Sequence, residues 1–397
     1  MGMPGEGGAR RVVLHVGSPK TGTTFLQNVL WSQRATAREQ GLLLPMERFN
    51  DHYLASLDLR GLSRRPIHPP RAIGMWDRIV AEVADWSGTA LVSHELFAAA
   101  TAEQAAAGVE SLQAVGAEVH VVVTARDLVR QVAAEWQEHV KHRSTKTFAD
   151  FVAEVREDDA RTGWFWKVQD FASVLERWGA GLPPAQVHVV TVPPRGTSSE
   201  LLWGRFASLL DVDPEAFNTA LPRSNSSLGA EQAELLRRVN LELGERLPLP
   251  GPYPLVVKNV LAHRILEKHP GTRLALAPDD AKFAVAESRA IAGRLAASGV
   301  DVVGDLEELV PEAATVADED AYRTPDAETM LTDSVSAIAD LLVVLNERRR
   351  VQRRAEDMAS AAQETPIRFA LVQAARTRPL LGRAHGVYRR LRGAPEA

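Results

Sequence analysis

Near its start the sequence sets a lysine and a row of hydroxyl side chains between two glycines: Gly17-Ser18-Pro19-Lys20-Thr21-Gly22-Thr23-Thr24. A glycine-bounded loop of this kind turns its backbone N–H groups toward one point. A helix opening at its end adds unpaired N–H groups and the positive end of its dipole. The chemistry open to such a loop is the binding of phosphate or a similar anion, with Lys20 as a mobile positive charge. Three other places carry reactive residue types. His94-Glu95 offers an adjacent base pair of groups, Arg126 with Arg130 one helical turn later offers a second grip on an anion, and Arg223 precedes Ser224-Asn225-Ser226-Ser227-Leu228.

The elements that must position these residues read as an α/β pattern. Val12 to Val16 is a β-branched run before the loop, and Phe25, Leu26, Val29 and Leu30 follow it at helical spacing. Further strands are predicted at Gly41–Pro45, Thr89–Ser93, Glu118–Ala125 and Val187–Val192, with helical segments between them. Alternation of this kind predicts a central parallel sheet flanked by helices, with ligands beyond the carboxyl ends of the strands. The Gly17 loop, His94-Glu95 and Arg126 all fall at such ends, so they are expected along one edge. His15, inside the first strand, reads as a packed core histidine. Asn50 to Arg71, rich in proline and arginine, reads as an irregular insertion lining a cleft.

From Glu200 onward the pattern turns helical, with segments at 201–210, 230–247, 254–266, 281–295 and 330–358. The expected organisation is a disordered N-terminus (1–10), a core (11–228), a helical extension (229–310), and a linker with a long helix and basic tail (311–397). The last helix is open to a homo-oligomeric or coiled-coil role and to that of a solvated helix end.

Composition bounds the function. The chain has 397 residues, 45% hydrophobic and 24% charged, as in an ordinary soluble globular protein. A net charge of −5 gives no reason to expect nucleic acid as a partner. There is no cysteine, which excludes disulfides, thiolate metal sites and cysteine nucleophiles. No apolar run approaches the ~20 residues of a membrane span, and the N-terminus has no signal-peptide core, so a cytoplasmic location without membrane insertion is expected.

The Gly-x-x-x-x-Gly spacing is that of a nucleotide-binding P-loop, but Thr23-Thr24 stands where such a loop has lysine and Ser/Thr, and the lysine sits inside the loop. Pro19-Lys20-Thr21-Gly22-Thr23-Thr24 instead resembles the phosphosulfate-binding loop of sulfotransferases that use 3′-phosphoadenosine 5′-phosphosulfate (PAPS), and the chain looks like the bacterial, carbohydrate-type branch. The resemblance covers about Arg11 to Leu228. It implies a P-loop-like three-layer fold and transfer of a sulfuryl group from PAPS to a hydroxyl or amine of a carbohydrate, lipid or small molecule. It also implies a donor site of Ser18, Lys20, Thr21, Gly22, Thr23 and Thr24, with Lys20 neutralising the leaving oxygen. Arg126 matches the family's arginine for the 3′-phosphate. The family's accompanying serine falls on Ala134, a departure for which Arg130 is placed to compensate, and Arg223 is a further candidate for that phosphate. Ser93-His94-Glu95-Leu96-Phe97 matches both a strand-end histidine and a Ser-x-Glu pattern. Glu95 is the preferred base, with a carboxyl pKa expected to be raised by burial, and His94 stands beside it. A sulfuryl group carries one negative charge, so no metal is expected. Two other readings remain open: a P-loop kinase using Mg-ATP, and a non-catalytic nucleotide-binding or interaction protein that keeps the fold. The acceptor has no readable code.

Overall fold

A computed structural model of the chain describes residues 10–220, 227–249, 251–311, 325 and 327–364, with side chains to 360. Two compact units are present, Met1–Leu331 and Thr332–Ala397. The first is built on six parallel strands in the order β2-β3-β1-β4-β5-β6. These are β1 (Arg11–Gly17), β2 (Leu42–Leu43), β3 (Thr89–Ser93), β4 (Glu118–Ala125), β5 (Val187–Thr191) and β6 (Asp301–Val303). β1 lies between β3 and β4, so the chain crosses it on the way from β3 to β4; the carboxyl end of β1 is therefore the switch point where such sheets take ligands. The register slips between His15 and Gly17, releasing β1 into the loop.

The strands are apolar on both faces because helices cover both. The helices of this unit are α1 (Thr23–Ser32), α2 (Arg34–Glu39), α3 (Asp51–Leu59), α4 (Met75–Ala84), α5 (Ala102–Ala114), α6 (Leu128–Lys141), α7 (Phe148–Glu157), α8 (Trp164–Gln169), α9 (Phe171–Trp178), α10 (Ser199–Ala207), α11 (Ala230–Leu243) and α12 (Pro278–Ser298). On one face Leu26, Val29 and Leu30 of α1 pack with Trp203 and Phe206 of α10 against Val13, Leu91, Val122 and Val190 of the sheet. Burial of each such side chain contributes about 1.5–3 kcal/mol. On the other face α5 and α9 lie against β4. The three-layer α/β architecture is as the alternation predicts.

Several local expectations are corrected. Residues 50–71 are not irregular throughout: they hold α3, whose Leu54, Ala55 and Leu57 are buried. Between β4 and β5, α8 ends at Asp170, whose side chain accepts from the Ser173 N–H and so caps α9 as a new helix. Residues 254–265 form a wide-turn π-helix. β6, only three residues long, was hidden in a segment read as helical. Gly229, without a side-chain cap, precedes α11. Most of the expected linker (312–324), the tail beyond 364 and the N-terminal nine residues lie outside the described residues. The described part of the second unit, residues 332–364, belongs to α13 (Ala327–Glu364). No described helix is long and apolar enough to cross a membrane.

Candidate functional site

The loop is shaped by two glycines that no other residue replaces easily. Gly17 has φ +124°, and a Cβ there would lie 2.9 Å from the Glu95 carbonyl oxygen; Gly22 has φ +84°, and its Cβ would lie 2.7 Å from Leu202. Lys20 also adopts a left-handed backbone, φ +64°, at a cost of about 1 kcal/mol. Threonine hydroxyls tie the loop to the sheet. Thr21 Oγ1 lies 2.5 Å from both the Ser18 carbonyl and Thr124 Oγ1, and Thr124 Oγ1 donates to the Gly17 carbonyl at 3.2 Å. Beneath it His15 bridges Ser93 Oγ (2.8 Å) and Thr124 Oγ1 (3.2 Å), and burial lowers its pKa to about 4, so it is a neutral strut between β3 and β4. Among the described residues, no backbone N–H of residues 20–24 donates to a backbone acceptor outside a helix. The loop therefore presents its N–H groups as an anion cradle presents them.

A cavity of about 1380 Å³ opens over the loop. Single small-molecule sites span roughly 300–1,000 Å³, so there is room for two reactants. Lys20, Gly22, Thr23 and Thr24 line it, together with His94, Glu95, Arg126 and Ala134. Residues predicted at all three strand ends thus share one cavity, but Arg130, predicted with them, is not among its lining residues. Ser18 and Thr21 are buried behind the lining as supports, and Arg223 lies outside the described residues.

Arg126 does not pair with Asp127. That carboxylate caps α6 by accepting from the Arg130 N–H at 2.9 Å and holds the Arg130 guanidinium as well. Arg126 Nη2 donates only to the Arg130 carbonyl, at 3.2 Å, and its Nε is sealed from solvent with no partner. Burial, then the charges of Arg130 and Arg195, lower its pKa to about 9 against the pull of Asp127. Arg195 in turn is lowered by burial and by Arg273 and Arg130. The carboxyl end of β4 therefore gathers three cations, Arg126, Arg130 and Arg195, against two carboxylates, Asp127 and the buried Glu135, an arrangement that an anion relieves.

His94 and Glu95 stand where β3 ends. The Leu96 N–H donates to His94 Nδ1 at 3.1 Å, which assigns the ring proton to Nε2, 4.0 Å from Glu95 Oε2. The pKa of Glu95 is lowered, contrary to the expectation: burial raises it, but His94, its own backbone N–H and Gln27 together lower it further. His94 is lowered by burial against Glu95.

A second set of residues was not foreseen. Gln131, Glu135, Glu138 and His142 recur at helical spacing along α6 and its end. Glu138 Oε2 accepts from Lys20 Nζ at 2.5 Å and Oε1 from Lys258 Nζ at 2.8 Å. Burial raises its pKa, yet His142, Lys20 and Lys258 hold it far below the usual range. Glu135 is 2% exposed and accepts from Gln169 Nε2 at 2.7 Å. Gln169 and Gln131 both donate to the Pro19 carbonyl. The signal was the 3–4 spacing of acids and amides opposite Val129, Val132, Trp136 and Val140. A polar stripe of that kind ordinarily faces water. Lys258 and His263, from the helical extension, also line the cavity.

No family model, curated protein or solved structure matches this chain.

Proposed function

We propose that the protein is a sulfotransferase that moves a sulfuryl group from PAPS to a hydroxyl or amine and releases adenosine 3′,5′-bisphosphate. The observation that supports this most is Arg126: a partly buried cation with no carboxylate in ion-pair contact, opening into the same cavity as Lys20 and the N–H groups of the loop. A nucleotide with phosphates at both its 5′ and 3′ positions needs two separate cationic sites, and the loop and the end of β4 offer them. Ser18 Oγ, buried without a partner beside Thr21, adds a donor at the loop. Ala134 contributes no hydroxyl; Arg130, whose guanidinium Asp127 holds, and Arg195 lie behind the lining and add only the field of their charges at Arg126.

In this reading the acceptor oxygen or nitrogen forms its bond to sulfur as the bond from sulfur to the 5′-phosphate oxygen breaks. The electron pair stays on that phosphate oxygen, and the Lys20 ammonium neutralises it. Glu138 keeps Lys258 as its partner when Lys20 turns to the donor. The acceptor proton goes to Glu95. The His94 tautomer, with its proton on Nε2, suits an orienting hydrogen bond rather than proton uptake. The sulfate and phosphates raise the pKa of the Glu95 carboxylate when the donor is in place, toward the range useful for a base.

Calorimetric titration tests the reading. Tight binding of adenosine 3′,5′-bisphosphate, weakened by Lys20→Ala and by Arg126→Ala, is the expected result. Binding of Mg-ATP without the bisphosphate would move the protein to the kinases, and binding of neither would leave a scaffold without this chemistry.

A further inference from the structure

The cavity wall that carries His94 also carries two aromatic rings. Tyr53 of α3 stands with its ring 5.3 Å from that of His94, and Trp164 of α8, 37% exposed, lines the same cavity while its neighbour Trp166 is in the core. Behind these rings the charge is of one sign. Arg60 follows Tyr53 by two turns, and its Nη1 reaches the carbonyl of Leu96, itself a lining residue, at 3.4 Å. Lys167 follows Trp164 by one turn, and Arg65 and His68 come from the segment after α3.

The fields of these cations overlap. Burial and then Arg65 lower the pKa of Arg60, burial and then Arg60 lower that of Lys167, and burial and then Arg65 lower that of His68. The nearest acids of the same segment are engaged elsewhere: Asp51 with Arg71 at 2.6 Å, and Asp58 with the Trp76 N–H at 3.2 Å. Among the described residues no carboxylate forms an ion pair with Arg60, Arg65 or Lys167. Partly buried like charges without a counter-ion raise the energy of the fold, and an anion placed among them lowers it.

We propose that the acceptor is itself an anion: a ring-bearing molecule that packs on Tyr53 and Trp164 and sets a carboxylate or sulfate against Arg60 and Lys167, with its nucleophile toward His94 and Glu95. The proposal rests on the sulfotransferase reading and adds the substrate class. The rings supply apolar area for a sugar or aryl face, and the cations offset the repulsion that an anionic acceptor meets beside an anionic donor.

The test uses two probes that differ by one carboxylate, 4-nitrophenyl β-D-glucuronide and 4-nitrophenyl β-D-glucoside. Each is titrated into the full chain saturated with adenosine 3′,5′-bisphosphate. The glucuronide is expected to bind at least about tenfold more tightly, as charge-assisted hydrogen bonds allow. Combining Arg60→Ala with Lys167→Ala should bring the two within about threefold, while Arg60→Lys retains most of the preference. The affinity for the bisphosphate alone should stay unchanged in these variants, which also reports that they fold. Equal affinities, a preference for the glucoside, no binding of either probe, or a preference that survives the double substitution would overturn the proposal. The bisphosphate titration separates the failures. No bisphosphate binding sinks the functional reading itself, whereas bisphosphate binding without a glucuronide preference sinks only the anionic acceptor.

Discussion

The two ends of the sheet both bury polar side chains, and they treat them differently. At the amino ends of β4, β5 and β6, His120 Nδ1 lies 2.8 Å from His188 Nε2, with the rings stacked. His120 Nε2 meets Glu118 Oε1 at 2.8 Å, and His188 Nδ1 meets Asp301 Oδ2 at 2.7 Å. Every ring nitrogen of these two histidines has a protein partner, although at the same end of the sheet Trp86 Nε1, just before β3, is sealed without one. At the carboxyl ends, Ser18 Oγ, Arg126 Nε and Gln131 Oε1 are sealed from water without one. A network whose task is to hold strands together closes on itself. One that leaves two donors, Ser18 Oγ and Arg126 Nε, and one acceptor, Gln131 Oε1, unpaired does so at a cost, because an unsatisfied buried polar group costs about 1–3 kcal/mol, and in the proposed reading a ligand meets the donors. The end with more unpaired groups is the end to which the sulfotransferase proposal assigns the donor site.

That contrast makes opposite demands on substitution. Arg126→Ala should weaken adenosine 3′,5′-bisphosphate binding by roughly 100-fold or more, the cost of truncating one side of a buried charged pair. Stability toward urea should hold or rise, since an uncompensated cation is removed. A clear loss of stability with unchanged binding would place Arg126 with the structural network and break the comparison. At the other end His188→Ala should do the reverse. Unfolding free energy should fall by about 1–3 kcal/mol as His120 and Asp301 lose their partner, with bisphosphate affinity within about twofold of the parent. Gly22→Ala lies between the two. Its Cβ meets Leu202 and its φ disfavours any side chain, so roughly tenfold weaker binding and about 1–2 kcal/mol of lost stability are expected, measured by calorimetry and urea unfolding.

Much of this carboxyl end was legible because it depends on backbone geometry, and backbone geometry has strong sequence signals. Glycine at 17 and 22, a β-branched run before them and helical spacing after them specify strand, loop and helix. The ends of β3 and β4 then place Glu95 and Arg126 on the same edge. What α6 contributes was not legible. Gln131, Glu135 and Glu138 read as the wet side of an amphipathic helix, and only the course of α8 and the helix at 254–265 turns that side inward. β6 was missed for a related reason: three residues carry too little pattern to outweigh the helical segments around them. The raised pKa expected for Glu95 considered burial alone. The neighbouring His94 and Gln27, and the local N–H, reverse it. The raised carboxyl is instead Glu135, in a helix that gave no sign of it.

Glu135 sharpens the comparison most finely, because it is an acid placed where anions are to bind. Burial pushes its carboxyl up to about 7, against the hydrogen bond from Gln169 and the charges of Lys20 and Arg126, with Glu138 pushing the same way as burial. His139 Nε2, at 3.9 Å, is the remaining titratable neighbour. The free protein therefore holds Glu135 partly ionised near neutrality. A phosphate drawn in by Lys20 or Arg126 favours the neutral form, so the pKa rises on binding and a proton is taken up. Linkage then fixes the sign: affinity for the bisphosphate is insensitive to Glu135 below pH about 6. It falls as pH rises from about 7 toward the higher pKa of the complex, by at most about tenfold per pH unit. The ligand's own phosphates, with a second pKa near 6, are already ionised in that window. Arg126, with a pKa of about 9, stays charged through pH 8. Calorimetry at pH 7 and 8 in buffers of different ionisation enthalpy reads both the affinity and the proton count. Glu135→Gln should abolish the proton uptake and flatten the profile. If the profile is as steep in the glutamine variant, the proton belongs to another group; if the parent is flat, Glu135 stays ionised as the counter-ion of Arg126 and the cation cluster is less incomplete than its geometry indicates.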